Sequence, residues 1–150
     1  MKFTKLLPNS CNFRDLIDNN RVYVDKTALI CQIAKDEKGP YFISRPRRFG
    51  KSTLINTFHE LFAHGTERFK GLEIEPLWKD KTYKVIHLDF STFREVPSNS
   101  SFNKEFVDAF KLSLEEAGIE PTKENIDSPA NLLKKTLDTE SEVVLLVDEY

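Results

Sequence analysis

The stretch Ser44-Arg45-Pro46-Arg47-Arg48-Phe49-Gly50-Lys51-Ser52-Thr53 constrains the fold more than any other part of this chain. It follows an apolar run, Tyr41-Phe42-Ile43, that reads as a first core strand. It precedes Leu54, Ile55, Phe58, Leu61 and Phe62, whose spacing predicts an amphipathic helix running to about His64, with Gly65 as its stop. A loop between strand and helix that ends Gly-Lys-Ser suits a chain of phosphates, which needs clustered backbone N–H donors, a cation and an oxygen ligand for an accompanying Mg²⁺. Gly50 lets the backbone turn tightly, Lys51 can reach the β/γ-phosphates, and the Ser52 hydroxyl can ligate the metal at a helix N-terminus aimed at the phosphates. Arg47, Arg48, Phe49 and Thr53 complete the expected nucleotide-contacting set. Arg45 holds the position of the first glycine in G-x-x-x-x-G-K-[ST], so the strand–loop–helix context carries the reading.

A second feature completes the pattern. Val143-Val144-Leu145-Leu146-Val147 is apolar without alternation, as in a central parallel strand buried on both faces, and it runs into Asp148-Glu149. In phosphoryl transfer to water, Asp148 would hold Mg²⁺ through its water shell and Glu149 would polarise the attacking water. Alone, an acidic pair ending a strand would be a solvated terminus; after a Gly-Lys-Ser loop on an earlier strand it reads as the other half of a site.

Between these landmarks the chain alternates. Phe13, Leu16 and Ile17 mark a short helix, Asp18-Asn19-Asn20 a turn, and Val22-Tyr23-Val24 a short strand-like piece. Asp25 or Thr27 can cap a helix with Leu29, Ile30 and Ile33 as its buried side, ending before Gly39-Pro40. Residues 69–78 look like an irregular connection. Tyr83 to Phe90 reads as a strand with Ile86, Leu88 and Phe90 on one face. Phe106, Ala109, Phe110, Leu114 and Ala117 keep helical spacing up to Gly118, and Ser128-Pro129 opens a helix burying Leu132, Leu133 and Leu137. Strands alternating with helices imply an α/β fold, a P-loop NTPase-type parallel sheet with flanking helices, whose ligand site lies at the strand carboxyl ends. The expected organisation is a lead-in segment, residues 1–40, packed on a P-loop core, residues 41–150.

Other candidates carry less. His59 and His64 sit five apart, roughly 140° around a helix, and cannot share a metal from one face; His87 is read as an ordinary strand histidine. Arg45, Arg47, Arg48 and Lys51 form the densest basic cluster, consistent either with a phosphate or acidic-partner contact or with a solvated loop. Asp89 could lie beside the site or cap a turn. The net charge of −2 gives no global pull toward nucleic acid or acidic membranes. Cys11 and Cys31 are too few for a disulfide framework and read as reduced thiols. With no apolar stretch of spanning length and no signal peptide, a cytoplasmic protein with no membrane partner is expected.

The segments Tyr23-Val24-Asp25-Lys26-Thr27, Arg45 to Ser52, Leu88-Asp89-Phe90-Ser91 and Leu146-Val147-Asp148-Glu149-Tyr150 resemble the bacterial and archaeal AAA-ATPase-like proteins, over nearly the whole chain. The resemblance includes the Arg-Pro-Arg-Arg-Phe form of the loop and implies an ATPase using ATP and Mg²⁺. In that family the acidic motif continues into more of the ATPase domain, often followed by a PD-(D/E)XK nuclease-like domain, through which a nucleic acid or protein partner would bind. The resemblance implies an N-terminal fragment truncated after the acidic (Walker B) strand, lacking the strand between its two catalytic halves and therefore a poor ATPase by itself. Two other functions remain open: a nucleotide-gated binding module with little turnover, and a small-molecule kinase.

Overall fold

The structure, a computed structural model, describes residues 12–36, 40–44, 46, 48–93, 99–121 and 128–148. The chain divides into two compact units, Met1–Thr82 and Tyr83–Tyr150.

The first unit is built from helices α1 (Phe13–Asp18), α2 (Thr27–Ala34) and α3 (Lys51–His64), with a 3₁₀ turn at Glu67–Phe69. The Asn12 side chain caps α1 by accepting from the Arg14 N–H. Asn20, with φ 52°, turns the chain out of that helix as expected. α3 has the predicted boundaries and ends at Gly65, whose φ is 66°. Its buried face carries Phe58, Leu61 and Phe62, with Leu54 and Ile55 half-buried. α1, with Phe13, Leu16 and Ile17 buried, packs on α3, and Ile30 and Cys31 of α2 are buried as well, the latter a free thiol.

The irregular connection supplies more of this core than its sequence suggests. Phe69, Leu72, Ile74 and Trp78 are all buried in successive turns. Phe69 stacks on Phe13 with centroids 4.7 Å apart, and Trp78 meets Phe62 edge-on at 5.8 Å. Glu60, also buried, accepts from Arg68 and pairs with Arg14 at 3.5 Å; Arg68 also holds Asp18 at 3.2 Å. A buried carboxylate requires such partners.

Three expectations for this unit are corrected. Tyr41-Phe42-Ile43 is not a strand: Tyr41 and Phe42 are 51% and 71% exposed, and the Tyr41 phenol bonds to Asp36. An apolar run becomes a strand only where a neighbour supplies ladder bonds, and the described part of this unit contains no strand to pair with. Val22-Tyr23-Val24 forms no strand, and both valines are exposed. Leu29 is exposed, because the buried face of α2 runs through Thr27, Ile30 and Cys31.

The second unit holds the described sheet, β1 (Lys84–Asp89) and β2 (Val143–Asp148), paired in parallel from Lys84↔Val143 to Asp89↔Asp148. Between them come a 3₁₀ turn (Phe90–Phe93), α4 (Asn99–Glu116) and α5 (Pro129–Thr139). Ile86 and Leu88 pack with Val107, Phe110 and Leu114 of α4, Ile119, and Leu132 of α5, and Phe90 joins them as predicted. The Ser113 hydroxyl donates to the His87 carbonyl at 2.8 Å, tying α4 to the main chain of β1. At the end of α4 the Gly118 N–H bonds Glu115 O and the Ile119 N–H bonds Leu114 O, a Schellman ending that needs the φ of 70° at Gly118.

Two details differ from expectation. β2 is not buried on both faces: Leu146 is buried but Leu145 is 37% exposed, because the described sheet has two strands rather than a full parallel set around β2. Leu137 is also exposed, leaving Leu132 and half-buried Leu133 as the inner face of α5.

Candidate functional site

The loop before α3 turns on two left-handed residues. Arg48 has φ 65° and Gly50 φ 74°, with ψ 28° at Gly50. Glycine adopts that region without steric cost, whereas a side-chain-bearing residue such as Arg48 is held there at about 1–2 kcal/mol. The turn is closed by the Phe49 N–H on Pro46 O at 3.3 Å, and α3 begins with Leu54 N–H on Gly50 O at 3.0 Å. A glycine at the N-cap has no side chain to accept from the first turn. Among the described residues, the N–H groups of Gly50, Lys51, Ser52 and Thr53 therefore have no acceptor.

The side chains there are similarly uncommitted. Lys51 and Arg48 have no ion-pair or hydrogen-bond partner among the described residues, and the Ser52 hydroxyl has none. Phe49 projects its ring outward, 65% exposed. An exposed turn with four open donors and two cations at a helix N-terminus has the chemistry to receive an anion. Arg45 and Arg47 lie outside the described residues.

In the second unit, Asp148 ends β2 and is 7% exposed. The register sets Asp89 beside it at the carboxyl ends of adjacent parallel strands. Asp89 also does what its sequence position suggested, accepting from the Ser91 N–H at 2.8 Å to cap the following turn. Glu149 and Tyr150 lie outside the described residues. Among the described residues no group of three or more His, Cys, Asp or Glu could by itself hold a metal ion. His64 is exposed with its Nε2 3.1 Å from Arg14 Nη2, so it belongs to a surface contact rather than a metal centre.

The lead-in segment contributes what the sequence did not disclose. Asp25 Oδ1 accepts from the Thr27 N–H at 2.9 Å and hydroxyl at 2.7 Å, while Oδ2 accepts from the Glu73 N–H at 2.9 Å. Thr27 Oγ1 in turn accepts from the Ile74 N–H at 3.1 Å. Burial alone would raise the Asp25 carboxyl, but the bonds from Thr27 and Glu73 outweigh it and hold it below its ordinary value. The Asp-x-Thr spacing signalled the cap; the partners at 73 and 74 carry no sequence signal.

The sequence model of the family described as predicted AAA-ATPase matches residues 10–150. The chain belongs to that family. One relative of the chain is the "Uncharacterized protein in vnfD 5'region" of Azotobacter chroococcum mcd 1, 33% identical over 132 residues. That match covers 85% of this chain and 25% of the relative, so the chain spans about a quarter of the relative's length. No solved structure matches it. Family membership makes the chain an α/β protein of a P-loop, AAA-ATPase-like class, consistent with nucleotide binding. Among its described residues no helix is long and apolar enough to cross a membrane.

Proposed function

We propose that the chain binds ATP with Mg²⁺ through the loop at residues 45–53 and that, in the full protein, ATP hydrolysis drives a conformational change. The observation that carries this reading is the uncommitted state of the α3 N-terminus: four backbone donors and the Lys51 ammonium with no partner among the described residues. Groups left without partners at a turn held in left-handed geometry are pre-arranged for a ligand that supplies acceptors.

In this reading Lys51 and the N–H groups of Gly50 to Thr53 hold the β- and γ-phosphate oxygens, and Arg47 and Arg48 add charge to the same phosphates. Phe49 borders the nucleotide. Toward Mg²⁺, Ser52 would offer its uncommitted hydroxyl, and Asp148 is the carboxylate proposed as the metal's second protein ligand. Bound there, the metal would offset charge developing on the phosphoryl oxygens. Glu149 orients the attacking water and takes its proton. Any nucleic acid or protein partner would act through parts of the protein beyond these residues.

ATP affinity measured with and without Mg²⁺ tests the assignment. Mg²⁺ should tighten ATP binding in the wild type and no longer do so in Ser52→Ala; an equal response to Mg²⁺ in both would contradict the reading. Phosphate release, however slow in this chain, should fall by at least about 100-fold in Glu149→Gln with ATP binding retained.

A further inference from the structure

The first turn of α3 accepts two hydrogen bonds that its backbone ladder does not need. Asn56 Nδ2 donates to the Ser52 carbonyl at 2.7 Å, and the Thr57 hydroxyl donates to the Thr53 carbonyl at 2.7 Å. Both run from residue i to i−4, so each carbonyl takes a side-chain donor beside the N–H of the helical ladder. A carbonyl can only accept, which fixes the Asn56 amide with its nitrogen toward Ser52. Thr57 is 1% exposed, so its hydroxyl has to be satisfied inside the protein. Asn56 is only half-buried, and it bonds the main chain although water is within reach.

Each carbonyl shares a peptide plane with the N–H of the next residue, and resonance couples the two. The Ser52 carbonyl is coupled in this way to the Thr53 N–H, one of the four open donors at the loop. The Thr53 carbonyl is coupled to the Leu54 N–H, which donates to the Gly50 carbonyl at 3.0 Å; that carbonyl is coupled in turn to the Lys51 N–H, a second open donor. A hydrogen bond received by a carbonyl draws electron density from its amide and makes the N–H a stronger donor, so bonds in series polarise one another. The Asn56 bond thus ends one peptide on, at the Thr53 N–H, and the Thr57 bond ends two peptides on, at the Lys51 N–H. Back-bonds of this kind also bend a helix, which sets where its first N–H groups point.

We propose that Asn56 and Thr57 are positioning residues for the phosphate site, aiming and polarising the Thr53 and Lys51 N–H groups through the carbonyls of the first turn. The inference rests on the ATP-binding reading above. Helix carbonyls point toward the C-terminus and N–H groups toward the N-terminus, so both side chains act from the end of the peptide opposite the ligand and never touch it.

The test is the affinity for inorganic triphosphate and for ATP with Mg²⁺, measured well below the unfolding transition, in wild type, Asn56→Ala, Asn56→Ser, Thr57→Val and Thr57→Ser. Serine keeps a hydroxyl able to reach the i−4 carbonyl at either position, whereas alanine and valine have no donor. Below the transition nearly all molecules are folded, so a purely structural role would lower the melting temperature without changing affinity. The expected result is about a threefold weakening of both ligands in Asn56→Ala and in Thr57→Val, a fraction of the worth of one charge-assisted hydrogen bond. The serine variants should keep wild-type affinity. Unchanged affinity in Asn56→Ala or in Thr57→Val overturns the role of that residue, and so does an equal loss in its serine variant; either leaves the ATP-binding reading standing. Weakening for ATP but not for inorganic triphosphate overturns the role as well, because the two N–H groups are assigned to phosphate alone. Failure of the wild type to bind either ligand overturns both readings. If Thr57→Val does not fold, the comparison of Asn56→Ala with Asn56→Ser decides alone.

Discussion

A single carboxylate, Asp25, joins the start of α2 to the turns at 73 and 74, and it shows how one residue can serve two levels of structure. It caps the helix locally and anchors a segment nearly fifty residues away in sequence. Hydrogen bonds to a charged group are worth about 1.5–3 kcal/mol each when deleted, less where water can replace them. Asp25→Ala should therefore cost about 2 kcal/mol, read as a fall in the thermal midpoint at neutral pH. The pH dependence has a definite sign. The folded-state carboxyl is held below its ordinary value of 3.8, so its contribution is complete above that value and is lost as pH falls through the lower folded-state value. The difference between variant and wild type should narrow as the pH drops below 3.8; a constant difference down to strong acid would mean that the carboxylate charge is not what stabilises.

At the scale of elements, the end of α4 depends on one backbone geometry. Gly118 has φ 70°, and a Cβ built there would meet nothing within 4 Å, so a side chain is opposed by backbone strain alone. Gly118→Ala should destabilise the chain by about 1–2 kcal/mol in denaturant unfolding; no change would show that the helix can end another way. This ending was legible in the sequence, as were α3 and the two strands, because each pairs a periodicity or a continuous apolar run with a local stop or start signal. The 41–43 run was not. Its apolar content matches that of β1, but strand formation depends on a partner, which no local pattern encodes. The same limit explains Leu29, Leu137 and Leu145, which fit the apolar stripes of their elements but lie outside the buried faces that packing selected. Phe69, Ile74 and Trp78 erred the other way: without periodicity they read as connection, yet all three are buried, with Phe69 on Phe13 and Trp78 on Phe62. At the candidate site, the helix start at Gly50 and Lys51 was legible, because a glycine ahead of an apolar helical periodicity marks a boundary.

For the whole molecule, the proposed ATP site makes one demand: nucleotide should stabilise the folded chain by mass action. A ligand that binds only the folded state adds RT ln(1 + [L]/Kd), about 2.7 kcal/mol at a hundredfold excess over Kd. Lys51 is the residue on which that increment should depend most, because its ammonium has no protein partner among the described residues to lose. Replacing it should barely alter the ligand-free protein, within about 0.5 kcal/mol. The decisive measurement is the thermal midpoint of wild type and Lys51→Ala, each with and without saturating ATP and Mg²⁺. The account predicts equal midpoints without nucleotide, a rise with ATP in the wild type and no rise in the variant; an equal ATP-dependent rise in both would contradict it.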